Sequence, residues 1–315
     1  MNMKLLPIVK GILEGERLSL ARAISIIDND ESASRVIISQ VFGKTGNAKT
    51  VGFTGAGGAG KSSIISELIP EFQSLGYKIA VLAIDPTSPL TGGAILGDRV
   101  RMQSKIDSDK IFMRSMASRG AQGGISKSLR NVIRILDAAG YNLILIESVG
   151  AGQLEVDISR IVDVTVVTFT PQTGDNIQVV KAGLTEIGDI YVINKGDLPG
   201  AVTLFNSILD LIGNTEKKPV VLRISAKTGN GIKQLALTIE KLLKVKTSDS
   251  RQKEKKMFEL ELRDMVLNMV EQKVSSMLYK NKKYYQLIDE LISKKTDPYQ
   301  AAEELGSVIL KVNKI

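Results

Sequence analysis

The chain has 315 residues, 43% of them apolar, and carries 42 Lys and Arg against 34 Asp and Glu, a formal charge of +8. That is enough to bury one large domain with helical additions, or two modest ones. It contains no Cys, no His and no Trp, which excludes a disulfide framework, a Cys/His zinc site and the commonest general base near neutral pH.

The N-terminal segment, 1–48, reads as helical. Leu5, Ile8, Val9, Ile12 and Leu13 recur at helical spacing, as do Leu18, Ala21, Ile24 and Ile27. Asp28, Asn29 and Asp30 form a turn signal, and a third helix is expected over 32–41. Residues 43–48 read as a linker. The opening apolar patch is broken by Lys10 and closed by Glu14, too short for a signal peptide. No window reaches 18 uninterrupted apolar residues, so no membrane span is expected, and the expected location is cytoplasmic.

From Thr50 the pattern changes. Apolar, β-branched runs at 50–54, 78–84, 110–114, 142–147, 164–169, 190–194 and 219–225 alternate with amphipathic stretches. The helices between them are expected near 62–75, 126–139, 153–160, 201–212 and 232–245. Continuous apolar strands separated by helices imply an α/β domain over 49–246, a mainly parallel sheet flanked by helices. Beyond 246 the sheet pattern stops. One long charged helix is expected over 249–280, with Leu260, Val266, Met269, Val270, Val274 and Leu278 among its apolar positions. Shorter helices follow near 284–292 and 298–310. From Lys241 onward there are 16 Lys and Arg against 11 Asp and Glu. We read this as a solvated helical surface, with nucleic-acid binding not expected and a partner chain the better use of a thin apolar stripe.

The first run ends in Gly55-Ala56-Gly57-Gly58-Ala59-Gly60-Lys61-Ser62, with Ser63 next. This is an ungapped GxxxxGK[ST] between a strand and a helix, the P-loop context. Backbone N–H groups freed by the glycines turn inward around a β-phosphate. Lys61 reaches the β and γ oxygens, and the Ser62 hydroxyl is placed for Mg²⁺. Strand 190–194 ends in Asn194-Lys195-Gly196-Asp197, an NKxD sequence. The Asp197 carboxylate can accept from N1–H and the 2-amino group of guanine, whereas adenine would leave it unpaired. Asn194 is expected to bridge to the P-loop, and the Lys195 stem to lie along the base. Ser225-Ala226-Lys227 ends the next strand, where GTPases place a loop that reads guanine O6. The pattern points to GTP.

Three acids stand where the metal and γ-phosphate should lie: Asp85 ending the second strand, Asp98 in a Gly-rich loop, and Glu147 beginning Glu147-Ser148-Val149-Gly150. Acids at the carboxyl ends of parallel strands face the ligand crevice. Glu147 and Asp85 are expected as metal and catalytic residues with Lys61, Asp98 as a further metal residue, and the Gly150 N–H as a γ-phosphate sensor. Ala151 follows Gly150 where signalling GTPases carry a water-positioning Gln, so slow intrinsic hydrolysis is expected.

GAGGAGKSS, LAIDPTSPLTGGAILGDRVRM, FMRSMASRGAQGGIS, ESVGAGQLEVD and NKGD together resemble the MeaB/ArgK/MMAA family of SIMIBI-class P-loop GTPases, over nearly the whole chain. The resemblance implies a GTP-hydrolysing chaperone that gates cobalamin loading and protection of an adenosylcobalamin-dependent acyl-CoA mutase, usually methylmalonyl-CoA mutase. It also implies a homodimer built through a C-terminal arm, 247–315. The alternative is a nucleotide-dependent kinase or ATPase assisting lysine, arginine or ornithine transport. PQTGDNIQVVKAG resembles the family's third switch, with Asn176 and Val179 in place of an acid and a Gly. Because the chain has no His, any histidine ligand to cobalamin must come from the mutase.

Overall fold

The computed structural model describes residues 5–85, 111–117, 124–148, 153–172, 187–212, 219–245 and 248–309. Three helices come first: α1 (Leu6–Leu13), α2 (Arg17–Asn29) and α3 (Glu31–Val41). The predicted turn works through Asp30, whose Oδ1 accepts from Ala33 N at 3.0 Å and so caps α3. A carboxylate then pins the linker. Asp137 accepts from the backbone N–H groups of Gly46, Asn47 and Ala48 at 2.5, 3.2 and 3.0 Å, delivering the chain into the first strand.

The strands are β1 (Lys49–Gly55), β2 (Ile79–Asp85), β3 (Ile111–Ala117), β4 (Leu143–Ser148), β5 (Val164–Phe169), β6 (Ile190–Ile193) and β7 (Val220–Arg223). They form one seven-stranded sheet in the order β3-β2-β4-β1-β5-β6-β7, with every neighbouring pair parallel. The helices between are α4 (Lys61–Ser74), α5 (Gly124–Ala138), α6 (Gln153–Ser159), α7 (Ala201–Ile212) and α8 (Ile232–Lys244). All seven predicted runs are strands. β7 is shorter than expected and is buried mainly through Leu222. At the other edge, Arg17 Nη2 donates to the Ile111 carbonyl at 2.5 Å, occupying an acceptor that an edge strand would otherwise expose.

Apolar side chains on opposite faces of the strands feed separate layers. Val51, Phe53, Leu143 and Leu145 pack with Ile64, Leu68 and Phe72 of α4 and Leu235 and Ile239 of α8. On the other face, Ile144, Ile146, Ala80 and Leu82 share one cluster with Leu129 and Leu136 of α5, Ile158 of α6, and Ile12, Leu20, Ile24 and Ile37 of the N-terminal helices. The N-terminal segment is therefore part of the sheet domain's core. Val167, Phe169 and Tyr191 pack with Ile208 and Ile212 of α7.

The chain divides into two compact units, Met1–Thr247 and Ser248–Ile315. The second holds α9 (Ser248–Lys280), α10 (Lys282–Ile292) and α11 (Pro298–Ile309). Asn281 caps α10 by accepting from Lys283 N at 2.9 Å. Asp297 Oδ1 accepts from Tyr299 N and Gln300 N at 2.8 and 3.1 Å, with Pro298 opening α11. A Lys283–Glu304 ion pair joins α10 to α11. Among the described residues of this unit only Glu261, Leu287 and Ala301 are buried. Phe258, Leu262, Val266, Met269, Val270 and Met277 of α9 are all exposed, and so are Leu260 and Leu267. The apolar surface is therefore broader than the thin stripe expected, because these positions cover more than one helical face.

Candidate nucleotide site

β1 is central, with β4 on one side and β5 on the other, so the loops at their carboxyl ends open into a shared crevice. The loop leaving β1 is Gly55 to Gly60, and its backbone demands glycine at both ends. Gly55 has φ +129° and Gly60 φ +88°, conformations that L side chains avoid. A Cβ on Gly55 would overlap the Thr168 carbonyl of β5, and one on Gly60 the Asn194 amide. Ala59 is fully buried beneath the loop, whereas Gly57 and Gly58 are exposed and Ala56 half-buried.

Lys61 opens α4 and is only 5% exposed. Its Nζ donates to the carbonyls of Gly55 and Ala56 at 2.7 and 3.0 Å, so the ammonium is held across the mouth of the loop. Ser62 Oγ donates to Glu147 Oε1 at 2.5 Å. Register explains the encounter: Glu147 pairs with Phe53 in β1, and alternation points its side chain to the α4 face, where Ser62 sits in the first turn. Ser148 points the other way and donates to Thr54 Oγ1 at 3.1 Å. A hydroxyl and a carboxylate oxygen in contact are the hard oxygen donors that Mg²⁺ accepts, and such sites need only one or two protein oxygens when phosphates complete the shell. Among the described residues no cluster of three or more acids gathers. Ser63 is exposed one residue on. Asp85 ends β2, beside β4; its side chain, like Asp98 and Gly150, lies outside the described residues. So does most of the third-switch-like segment.

The base side is built from the loops after β6 and β7. Asn194 is 2% exposed; its Nδ2 donates to the Ala59 carbonyl at 2.9 Å, and its Oδ1 accepts from Ala226 N at 3.1 Å. One buried amide thus ties the P-loop, the NKxD loop and the Ser225-Ala226-Lys227 loop together, using both its donor and its acceptor. Asp197 is exposed. The Ser225 hydroxyl beside it holds its carboxyl below the ordinary carboxylate range, with its own backbone N–H and Lys227 adding to the effect. It is therefore an ionised acceptor throughout the physiological range. Ser225 is buried and Lys227 exposed; Ser225 N donates to the Asn230 carbonyl at 2.9 Å, which closes the loop.

One contact escaped the sequence reading. Lys195 Nζ donates to Gln172 Oε1 at 2.7 Å. Its only signal in the sequence is positional, since Gln172 lies three residues past the strand candidate 164–169 that precedes the NKGD strand.

The comparisons with known proteins agree with this geometry. The sequence profile of the family described as "Methylmalonyl Co-A mutase-associated GTPase MeaB" matches residues 20–281. A protein of Pyrococcus horikoshii named as a GTPase is 40% identical over 305 residues, covering 94% of this chain and 95% of that protein. The GTPase ArgK of Escherichia coli is 34% identical over 239 residues, 72% of each chain. A crystal structure of a LAO/AO transport system kinase shares the fold, with a TM-score of 0.71 at 24% identity and 99% coverage of both chains. The chain belongs to the MeaB family of P-loop GTPases.

Proposed function

We propose that this GTPase is a chaperone of an adenosylcobalamin-dependent acyl-CoA mutase, gating cobalamin loading and protecting the loaded enzyme, with methylmalonyl-CoA mutase the first candidate. The observation that carries this reading is the match of a mutase-associated GTPase family over residues 20–281, which takes in the P-loop, the NKxD loop and all of α9. A nematode relative, 34% identical over 203 residues, is named a methylmalonic aciduria type A homolog.

In this reading GTP is the substrate. Gly55 to Ser63 wrap its phosphates, and Lys61 turns from the loop carbonyls to the β and γ oxygens. Asp197 accepts from the guanine N1–H and 2-amino group, with Asn194, Lys195, Ser225, Ala226 and Lys227 completing the base pocket. Ser62 and Glu147 would hold Mg²⁺, with Asp85 and Asp98 as further acids around it. The ion supplies neutralisation of charge on the β and γ oxygens. Asp85, Glu147, Lys61 and Gly150 are the catalytic group, Gly150 through its N–H. The arm from 248 onward carries a homodimer through its exposed apolar side chains, and the protein acts in the cytoplasm. No described helix is long and apolar enough to cross a membrane.

The test is capture of a purified acyl-CoA mutase on the immobilised GTPase, followed by cobalamin transfer with GTP, GDP or no nucleotide. Nucleotide-dependent transfer supports the proposal. A mutase that neither binds nor changes its loading contradicts it, and a stable phosphoprotein formed from labelled GTP on a transport protein would favour the kinase alternative instead.

A further inference from the structure

We propose that Gln172 is a positioning residue of the base pocket, holding the Lys195 ammonium so that the Lys195 stem lies flat over the purine ring. The proposal rests on the guanine-pocket reading above and adds to it a residue from a different strand end. The backbone around Lys195 is already fixed. Asn194 N donates to the Phe169 carbonyl of β5 at 2.8 Å, Gly196 N to the Ile224 carbonyl beyond β7 at 2.7 Å, and Leu198 N to the Lys195 carbonyl at 2.9 Å. Between these anchors Lys195 adopts φ +55°, one of only two non-glycine residues in the left-handed region among those described. That conformation is costly for a side chain with a Cβ and persists only where the surroundings enforce it. It fixes where the side chain leaves the backbone, but a four-carbon stem with free rotamers would still sweep solvent.

Gln172 removes that freedom. β5 and β6 are adjacent and parallel, with Phe169 opposite Ile193, so the residues just past each strand end emerge side by side. The two loops also touch elsewhere, since a Cβ on Gly200 would sit 3.6 Å from Pro171 Cβ. Across this junction Gln172 Oε1 accepts from Lys195 Nζ at 2.7 Å. Among the described residues no carboxylate pairs with Lys195. The amide oxygen, as an acceptor, orients the ammonium. The cation stays available to the face of the base and to the electronegative atoms around it. Asp197 reads the base edge and Gln172, through Lys195, sets the cover over its face. The two act on different parts of the ligand, so they predict different selectivity.

The experiment measures dissociation constants of fluorescent GDP and IDP analogues for wild type, Gln172→Met, Gln172→Glu, Lys195→Ala and the Gln172→Met/Lys195→Ala double variant, with thermal melts as the folding control. Methionine keeps the length and removes the strong acceptor; glutamate keeps the acceptor. Gln172→Met should weaken both nucleotides by the same factor, about three- to ten-fold, the range of one lost hydrogen bond to a cation at a solvated site. Gln172→Glu should stay within about two-fold of wild type, because its carboxylate still accepts from Lys195. In the Lys195→Ala background Gln172→Met should add nothing. Unchanged affinity in Gln172→Met, or an equal loss with and without Lys195, overturns the role of Gln172 while leaving the pocket intact. A wild type that binds no guanine nucleotide overturns the pocket and this proposal together.

Discussion

The two units of the chain solve the burial problem in opposite ways. Among the described residues of 5–245 most Leu, Ile and Val side chains are buried, and Phe53, Phe72, Phe169 and Tyr191 are at 1% exposure or less. In 248–309 the proportion inverts, with Leu287 and Ala301 the only buried apolar residues described, while Val266 is 50% and Val270 52% exposed. A single long helix followed by two short ones cannot enclose its own apolar surface. The sheet domain buries most of its own apolar surface, whereas the described helices of the arm leave most of theirs exposed. In the proposed reading, this exposed apolar surface is where a second copy packs.

Four measurements break or sharpen that contrast, taken from the largest expected effect downward. Lys61→Ala removes the cation that spans the P-loop mouth, so phosphate release should fall to background. Melting should drop by no more than the about 1 kcal/mol of a lost hydrogen-bond set, and the oligomeric state should not change. Near-normal hydrolysis by the folded variant would remove the P-loop from the account. Next, a Val270→Glu/Val274→Glu double variant places two carboxylates in the proposed arm contact. Association should weaken by about 3–5 kcal/mol, the cost of an uncompensated charge in an apolar interface, moving the protein toward monomer in sedimentation with GTP affinity nearly intact. A monomeric wild type, or a variant that remains dimeric, would refute the arm. Loss of GTP binding along with dimerisation would contradict a contact confined to the arm.

Third, Asp137→Ala strips one acceptor group from the three N–H donors of Gly46, Asn47 and Ala48. Unfolding of the sheet domain should come about 2–3 kcal/mol earlier, with sedimentation unaffected; a melt that matches wild type would show that the linker is not held this way. The smallest effect concerns pH. The Asp197 pKa is depressed below its ordinary 3.8, so its acceptor form is complete above that value and is lost only as pH falls through the lowered folded value. The chain has no His to titrate in between. The ratio of GDP to IDP affinity, in which phosphate ionisation cancels, should therefore stay constant within about two-fold from pH 5.5 to 8. A titration in that window would mean another group reads the 2-amino position.

The sheet domain was legible in the sequence because its signals are local. Each buried strand is a short apolar run, and the P-loop and NKGD sequences sit at strand ends, so their meeting follows from parallel topology. The cap at Asp30 was legible for the same reason. What escaped depends on neighbours distant in the chain. Nothing in 1–48 reveals that Ile12, Leu20 and Ile24 pack into the core beneath β2 and β4. Asp137 gives no hint that it answers a loop 90 residues earlier. Gln172 becomes meaningful only once β5 and β6 are adjacent. The arm was misjudged in breadth for a different reason: periodicity identifies the best single stripe, whereas exposure in the fold reveals every face left without cover.

The central claim, that the loop after β6 makes this chain a guanine-nucleotide protein, is tested most directly by titrating GDP and XDP against wild type and Asp197→Asn. The amide can donate to the xanthine 2-oxo group, where the carboxylate could only repel it. The account predicts that wild type prefers GDP and that Asp197→Asn loses GDP affinity by at least about a hundred-fold while gaining XDP affinity. An Asp197→Asn variant with the wild-type preference for GDP would contradict it.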